Sequence, residues 1–229
     1  MTSTQLSNHQ VTRMVLSRTI AAVLVMLGVF FIPAGTFDYW QAWVVLAVIL
    51  IPAAWGIAYM WKSDPGLMER RLRYREPHQQ QQLIILISYP FFFLALLLPG
   101  LDHRFGWSQV PVAVVLAADI IIVAGYLLFF FVIRENSYAS RVIEVEQGQK
   151  VINTGPYAVV RHPLYVASLL LMLALPIALG SYWAFIPTLP IVPLVMIRAV
   201  KEEQLLASEL PGYTEYMQKV RFRLIPGLW

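Results

Sequence analysis

The sequence predicts an all-α integral membrane protein, a multi-helix transmembrane bundle closed by a C-terminal helical hairpin and a cytoplasmic tail helix. Three observations predict it. The 229 residues are 59% hydrophobic and only 13% charged, where soluble domains carry about 25% charge. No Asp, Glu, Lys or Arg occurs in 19–37, 39–61, 77–101 or 162–197, runs that meet the roughly 20 residues a helix needs to cross a bilayer. The basic residues also collect on alternate loops.

The elements follow in order. Helices are expected at about 14–34, 39–61, 82–99 and 109–133, the last holding one acid, Asp119. The first apolar run exceeds the 7–15 residues of a signal-peptide core and lacks a small-x-small cleavage site, so it reads as a retained helix. A loop follows to about 161, then the apolar run 162–197 and a polar tail. Two regions result: 1–133 with transmembrane helices 1–4, and 134–229 with the loop, hairpin and tail.

Charge sets the expected orientation. Arg13 and Arg18 precede the first helix, and Lys62, Arg70, Arg71, Arg73 and Arg75 follow the second. Arg134, Arg141, Lys150 and Arg161 precede the last apolar run, and Arg198, Lys201, Lys219, Arg221 and Arg223 follow it. Of 17 basic residues only Arg104 falls on the other side. The positive-inside rule makes the crowded face cytoplasmic. Both flanks of 162–197 are then cytoplasmic, which a single crossing forbids. Gly180-Ser181 offers a turn, so two arms are expected at about 163–179 and 183–199, each about 25 Å long at 1.5 Å per residue. One long helix kinked at Pro187, Pro190 and Pro193, with the tail outside, is the alternative.

The chain has no cysteine, which excludes disulfides, thiolate metal sites and a cysteine nucleophile. Gly227-Leu228-Trp229 is no prenylation box. His9, His78, His103 and His162 are not spaced as metal ligands, and there is no glycine-rich phosphate or dinucleotide loop. Nothing points to nucleic acid, and oligomeric state is not legible.

The candidate chemistry lies in two stretches. Thr154 to Tyr165 is polar and turn-rich, with Tyr157, an Arg161-His162 pair and Pro163 opening a helix. Proline suits the first helical position, and N–H groups from Leu164 onward would lack intrahelical partners and suit an anion. Arg198 and Glu202 are spaced i, i+4, with Glu203 beside them. As a surface ion pair they are worth a few tenths of a kcal/mol; at a membrane boundary Arg198 can hold an anionic substrate and Glu202 an amine or ribose hydroxyls. Asp119, in mid-membrane, is a functional suspect. Met68 and Met196 read as packing, and the arginines of 70–75 as orientation and headgroup contacts.

At these residues the chain resembles the isoprenylcysteine carboxyl methyltransferase family, whose relatives include phospholipid N-methyltransferases. The resemblance covers roughly 134–229. It rests on Gly-Pro-Tyr (155–157), Arg-His-Pro-x-Tyr (161–165), Arg-x-x-x-Glu-Glu (198–203) and Gly-Tyr-x-x-Tyr (212–216). It is closest to the short prokaryotic form, which implies a bacterial inner membrane with the site facing the cytoplasm. The resemblance implies S-adenosyl-L-methionine as cofactor. Gln149, Lys150, Val151 and Ile152 would line one side of its pocket. Tyr157, His162, Pro163, Leu164 and Tyr165 would form the centre, and Glu202 would hold a polar part. Arg198 matches the acceptor-facing position and, with His162, is the expected catalytic residue. Ala167 stands where the family often has glycine. The implied substrate is a lipophilic or lipidated molecule entering from the bilayer.

The chemistry leans toward a carboxylate acceptor, which needs no general base, whereas an amine would have only Glu203 or His162. Two other classes stay open: a nicotinamide-dependent membrane reductase of the sterol type, which shares a similar His-Pro motif, and a non-catalytic membrane binding protein.

Overall fold

The structure, a computed structural model, describes residues 8–72, 76, 78–140, 142–146 and 148–229. Among them the secondary structure is helical. The elements are α1 (Asn8–Ala34), α2 (Trp40–Ser63), α3 (Pro65–Leu72), α4 (Gln79–Phe105), α5 (Val112–Glu135), α6 (Pro163–Ala178), α7 (Phe185–Thr188), α8 (Ile191–Glu209) and α9 (Tyr213–Lys219), with a 3-10 turn at Gly155–Ala158. Four of them, α1, α2, α4 and α5, are long and apolar enough to span a membrane. The described residues form a membrane protein of the expected all-α class. Exposed apolar side chains such as Leu24, Ile51, Leu86 and Ile120 cover its flanks, as a lipid solvent requires.

The helix α3 lies between the helices expected at 39–61 and 82–99, where no element is expected. Asp64 starts it: its carboxylate accepts from the Leu67 N–H at 2.8 Å, and Pro65 takes the first helical position, where no N–H is needed. Leu67 and Met68 are buried against Met60, Ile133 and Ala139, so Met68 is packing as expected. Arg70 and Arg71 also have partners within the protein. Arg70 donates to the Ser137 carbonyl at 2.7 Å and to Glu146 at 3.2 Å, and Arg71 lies over the Phe129 ring. Arg73, Arg75 and Arg141 lie outside the described residues.

Helices approach closely where side chains are small. A Cβ at Gly100 of α4 would lie 2.8 Å from the Phe30 carbonyl oxygen of α1. The α5–α6 seam has the same character. Ala167 is fully buried, its carbonyl oxygen 3.4 Å from where a Gly125 Cβ would stand. The close approach that a glycine would make at 167 is supplied by Gly125 instead.

The hairpin is present, and one long kinked helix is excluded. α6 ends at Ala178, and Gly180 takes the left-handed φ of +75° that reverses the chain. The turn is seated at the end of the bundle opposite Arg198. Ser181 and Ser108 donate their hydroxyls to buried Asp102, the Ser108 N–H adds a bond of 2.6 Å, and the Tyr39 hydroxyl donates to the Leu179 carbonyl. The returning arm is not the continuous helix expected at 183–199. It divides into α7 and α8 around Leu189-Pro190, because prolines remove the N–H groups that a continuous ladder uses. α8 then runs ten residues past the expected end, to Glu209, carrying Glu202 and Glu203 clear of the apolar layer.

A cavity where the loop, the hairpin and the tail meet

Three pieces converge at the end where α6 begins. The first is the start of α6. The N–H groups of Arg161 and His162 donate to the carbonyls of Phe222 and Arg223 at 2.9 and 3.0 Å, so the tail is held against the motif. His162 and Arg161 are both buried. The expected row of free N–H groups is shorter than the sequence suggested. Those of Tyr165 and Val166 turn back onto the His162 carbonyl at 3.1 and 3.2 Å, because the first turn closes tightly. Among the described residues the Leu164 N–H meets no backbone carbonyl.

The second piece is α8. Glu203 is buried and gathers two guanidinium groups and an imidazole. Arg161 Nε donates to its Oε1 at 2.5 Å, His162 Nε2 lies 3.1 Å from the same oxygen, and Arg223 Nε donates to Oε2 at 2.8 Å. Arg161 also donates to the carbonyls of Val220 and Arg221. Burial disfavours the charged carboxylate, but the hydrogen bonds from His162 and Arg161 outweigh it and hold its pKa down to about 2. Glu203 is therefore a structural anchor and a poor proton acceptor. An ionised carboxylate only accepts, so His162 Nε2 carries the proton of their shared bond.

Arg198 does not simply pair along its helix with Glu202. Its Nε donates to the Tyr165 hydroxyl at 3.0 Å, and that hydroxyl donates to Glu202 Oε2 at 2.6 Å. Tyr165 thus joins the two residues that the sequence singled out by spacing. Arg198 Nη2 reaches Glu76 Oε2 at 3.1 Å.

The third piece is the loop 136–152 with the tail. Val145 and Val151 pack against Leu210, Tyr213, Tyr216 and Val220. The Tyr216 hydroxyl donates to the Tyr157 carbonyl at 2.7 Å, and Asn136 donates to the Tyr157 hydroxyl at 2.9 Å. Burial pushes the Tyr157 phenol up to about 12, against the lowering effect of Asn136.

Between these pieces lies a cavity of about 270 Å³, near the lower end of small-molecule sites. Gln149, Lys150, Val151, Ile152, Tyr157, His162, Leu164, Tyr165, Arg198 and Glu202 all line it. Pro163, buried in the first turn, does not. Sequence reasoning missed Tyr138, Asn136, Arg71, Tyr213 and Tyr216 on its walls. The two last belong to the Gly-Tyr-x-x-Tyr element, whose pairing with the cavity was the available signal. Asp119 is buried elsewhere, in α5, and neither of its carboxylate oxygens has a hydrogen-bond partner among the described residues. No group of three metal-ligating side chains occurs among the described residues.

An apolar groove of about 400 Å³ runs between α2 and α5, lined by residues such as Trp55, Ile57, Tyr126 and Phe130. Arg71 and Phe129 line both it and the polar cavity. The class is thus a polytopic helical membrane protein with a polar chamber at one end and a lipid-like groove beside it.

Residues 113–210 match the family model described as Phospholipid methyltransferase. They run from the start of α5 through α8, and over that stretch the chain is similar to that family, which shares a superfamily with isoprenylcysteine carboxyl methyltransferases. The family is one of membrane methyltransferases. The tail that roofs the cavity lies beyond the match. A comparison with curated proteins finds no match.

Proposed function

We propose that this chain is an S-adenosylmethionine-dependent methyltransferase of a lipophilic acceptor, with a carboxylate as the favoured methyl acceptor. One observation carries the reading: the cavity formed by the loop, the α6 start and α8 adjoins the apolar groove at Arg71 and Phe129. A water-soluble donor on one side and a hydrocarbon chain on the other suit that pairing.

The residues present fit the cofactor. The Tyr213 hydroxyl is buried and has no hydrogen-bond partner among the described residues, yet it lines the cavity, so a polar ligand would satisfy it. Glu202 would take the amino group or ribose hydroxyls. The Leu164 N–H at the α6 start would take the carboxylate. The faces of Tyr157 and Tyr165 would favour a cationic centre. Bound there, S-adenosylmethionine supplies an electrophilic methyl group on sulfur. The chain's own part is alignment and exclusion of water. Arg198 would orient the acceptor carboxylate by paired hydrogen bonds. His162, bonded to Glu203, would shape the wall. The cationic crowding of this end supports a cytoplasmic site, and the short family form a bacterial inner membrane. Membrane lipids and a lipid-borne substrate are the partners this implies.

The test is binding followed by transfer. S-adenosylhomocysteine should raise the melting temperature of the detergent-purified protein, and labelled methyl should pass from S-adenosylmethionine into a lipid extract. Stabilisation by NADPH in its place would favour the reductase reading and end this one.

A further inference from the structure

Glu76 is absent from the cavity wall but bonds to a residue on it. It sits between α3 and α4 and is 5% exposed. Its Oε2 accepts from Arg198 Nη2 at 3.1 Å and from the Ile143 N–H at 3.2 Å. Arg198 and Ile143 both line the cavity. One carboxylate therefore ties α8 to the loop wall from behind. Its backbone carbonyl also accepts from the Gln82 side chain at 2.7 Å, which ties Glu76 to the start of α4. Its Oε1 is buried with no hydrogen-bond partner among the described residues. A buried acid kept with one oxygen unsatisfied costs stability; its two bonds to cavity-lining groups offset that cost.

We propose that Glu76 is a positioning residue for the methyl acceptor: it holds the Arg198 guanidinium against Tyr165 and sets the Val142–Ile143 wall. The inference rests on the reading of Arg198 as the acceptor-facing group. Without Glu76 the guanidinium keeps its bond to Tyr165 but loses the anchor at Nη2, and the wall loses its tie at the Ile143 N–H. The acceptor subsite then loosens, while Glu202, Leu164 and Tyr213 on the donor side keep their places.

The experiment compares Glu76→Ala, Glu76→Gln and Arg198→Ala, alone and combined, in the full-length protein in detergent. Methyl transfer is followed into a titrated lipid extract. Glu76→Ala should raise the half-saturating extract about tenfold, the size expected for losing a hydrogen bond to a charged group. The half-saturating S-adenosylmethionine should stay within about twofold. Glu76→Gln keeps one acceptor oxygen and should lose less. Adding Glu76→Ala to Arg198→Ala should cost less than about twofold more, because the two act as one unit. Equal losses for donor and acceptor, or independent losses in the double variant, overturn the proposal. If Glu76→Ala does not fold, Glu76→Gln carries the same comparison. Wild-type protein that ignores S-adenosylhomocysteine fails at the functional reading; a wild type that binds it, with Glu76 variants indistinguishable from it, fails at this one.

Discussion

Glu203 is the residue on which Arg161, His162 and Arg223 converge, and through them α6, α8 and the tail. Its pKa falls from 4.5 to about 2 on folding. A depressed carboxylate stabilises the fold above the unfolded pKa, and that contribution is lost as pH falls through the folded one. Stability should therefore drop between about pH 4.5 and pH 2. Glu203→Gln should flatten that dependence. Leaving buried cations without their counter-charge should also cost on the order of 3 kcal/mol at neutral pH. Melts of wild type and variant across pH check both. A variant as stable as wild type would mean that Arg161, His162 and Arg223 find other partners. The spacing of Glu202 and Glu203 was visible in the sequence. Their division of labour was not, because adjacent residues on a helix face different neighbours: Glu202 meets Tyr165, and Glu203 meets Arg161 and His162.

At the scale of elements, the long helices were legible because each is a single uninterrupted apolar run. Their ends were less so. α4 extends from Gln79 to Phe105, beyond the expected 82–99 on both sides, because its polar ends leave the apolar layer while the backbone ladder continues. The short α3 was missed because it spans only eight residues and opens on Asp64-Pro65-Gly66, a combination that reads as a turn. The α1–α4 contact depends on the absence of a side chain at Gly100, where a Cβ would lie 2.8 Å from a carbonyl oxygen. Gly100→Ala should force the helices apart and cost about 1–3 kcal/mol, read as a lower melting temperature. The same substitution at Gly56, where a Cβ meets nothing within 4 Å, should leave stability unchanged or raise it by up to about 1 kcal/mol through helix propensity alone, which separates contact from propensity.

At the scale of the whole molecule, the two ends of the bundle differ in kind. One gathers Asp102, His103, Ser108 and the hairpin turn; the other gathers the cavity and the tail. The chain is naturally free of cysteine, so single cysteines report sidedness without background. Tyr182→Cys at the exposed turn and Ser208→Cys on exposed α8 should react with a membrane-impermeant thiol reagent from opposite sides of the membrane. Ser208→Cys should be reached from the cytoplasm. Labelling of both from one side would break the topology on which the cavity depends.

The sequence alone determined that the chain lives in a bilayer, that its last apolar run turns back, and that two motifs some forty residues apart share one end. These follow from hydropathy and charge, which act locally and leave a linear record. Only the tertiary structure decided what those motifs do to one another. It set Tyr165 between Arg198 and Glu202, made Glu203 an anchor, and brought Glu76 behind Arg198 from 122 residues away. It also laid the tail over the cavity. Such pairings are selected by packing and by the cost of leaving a buried charge unmatched, and neither is written in the order of the residues.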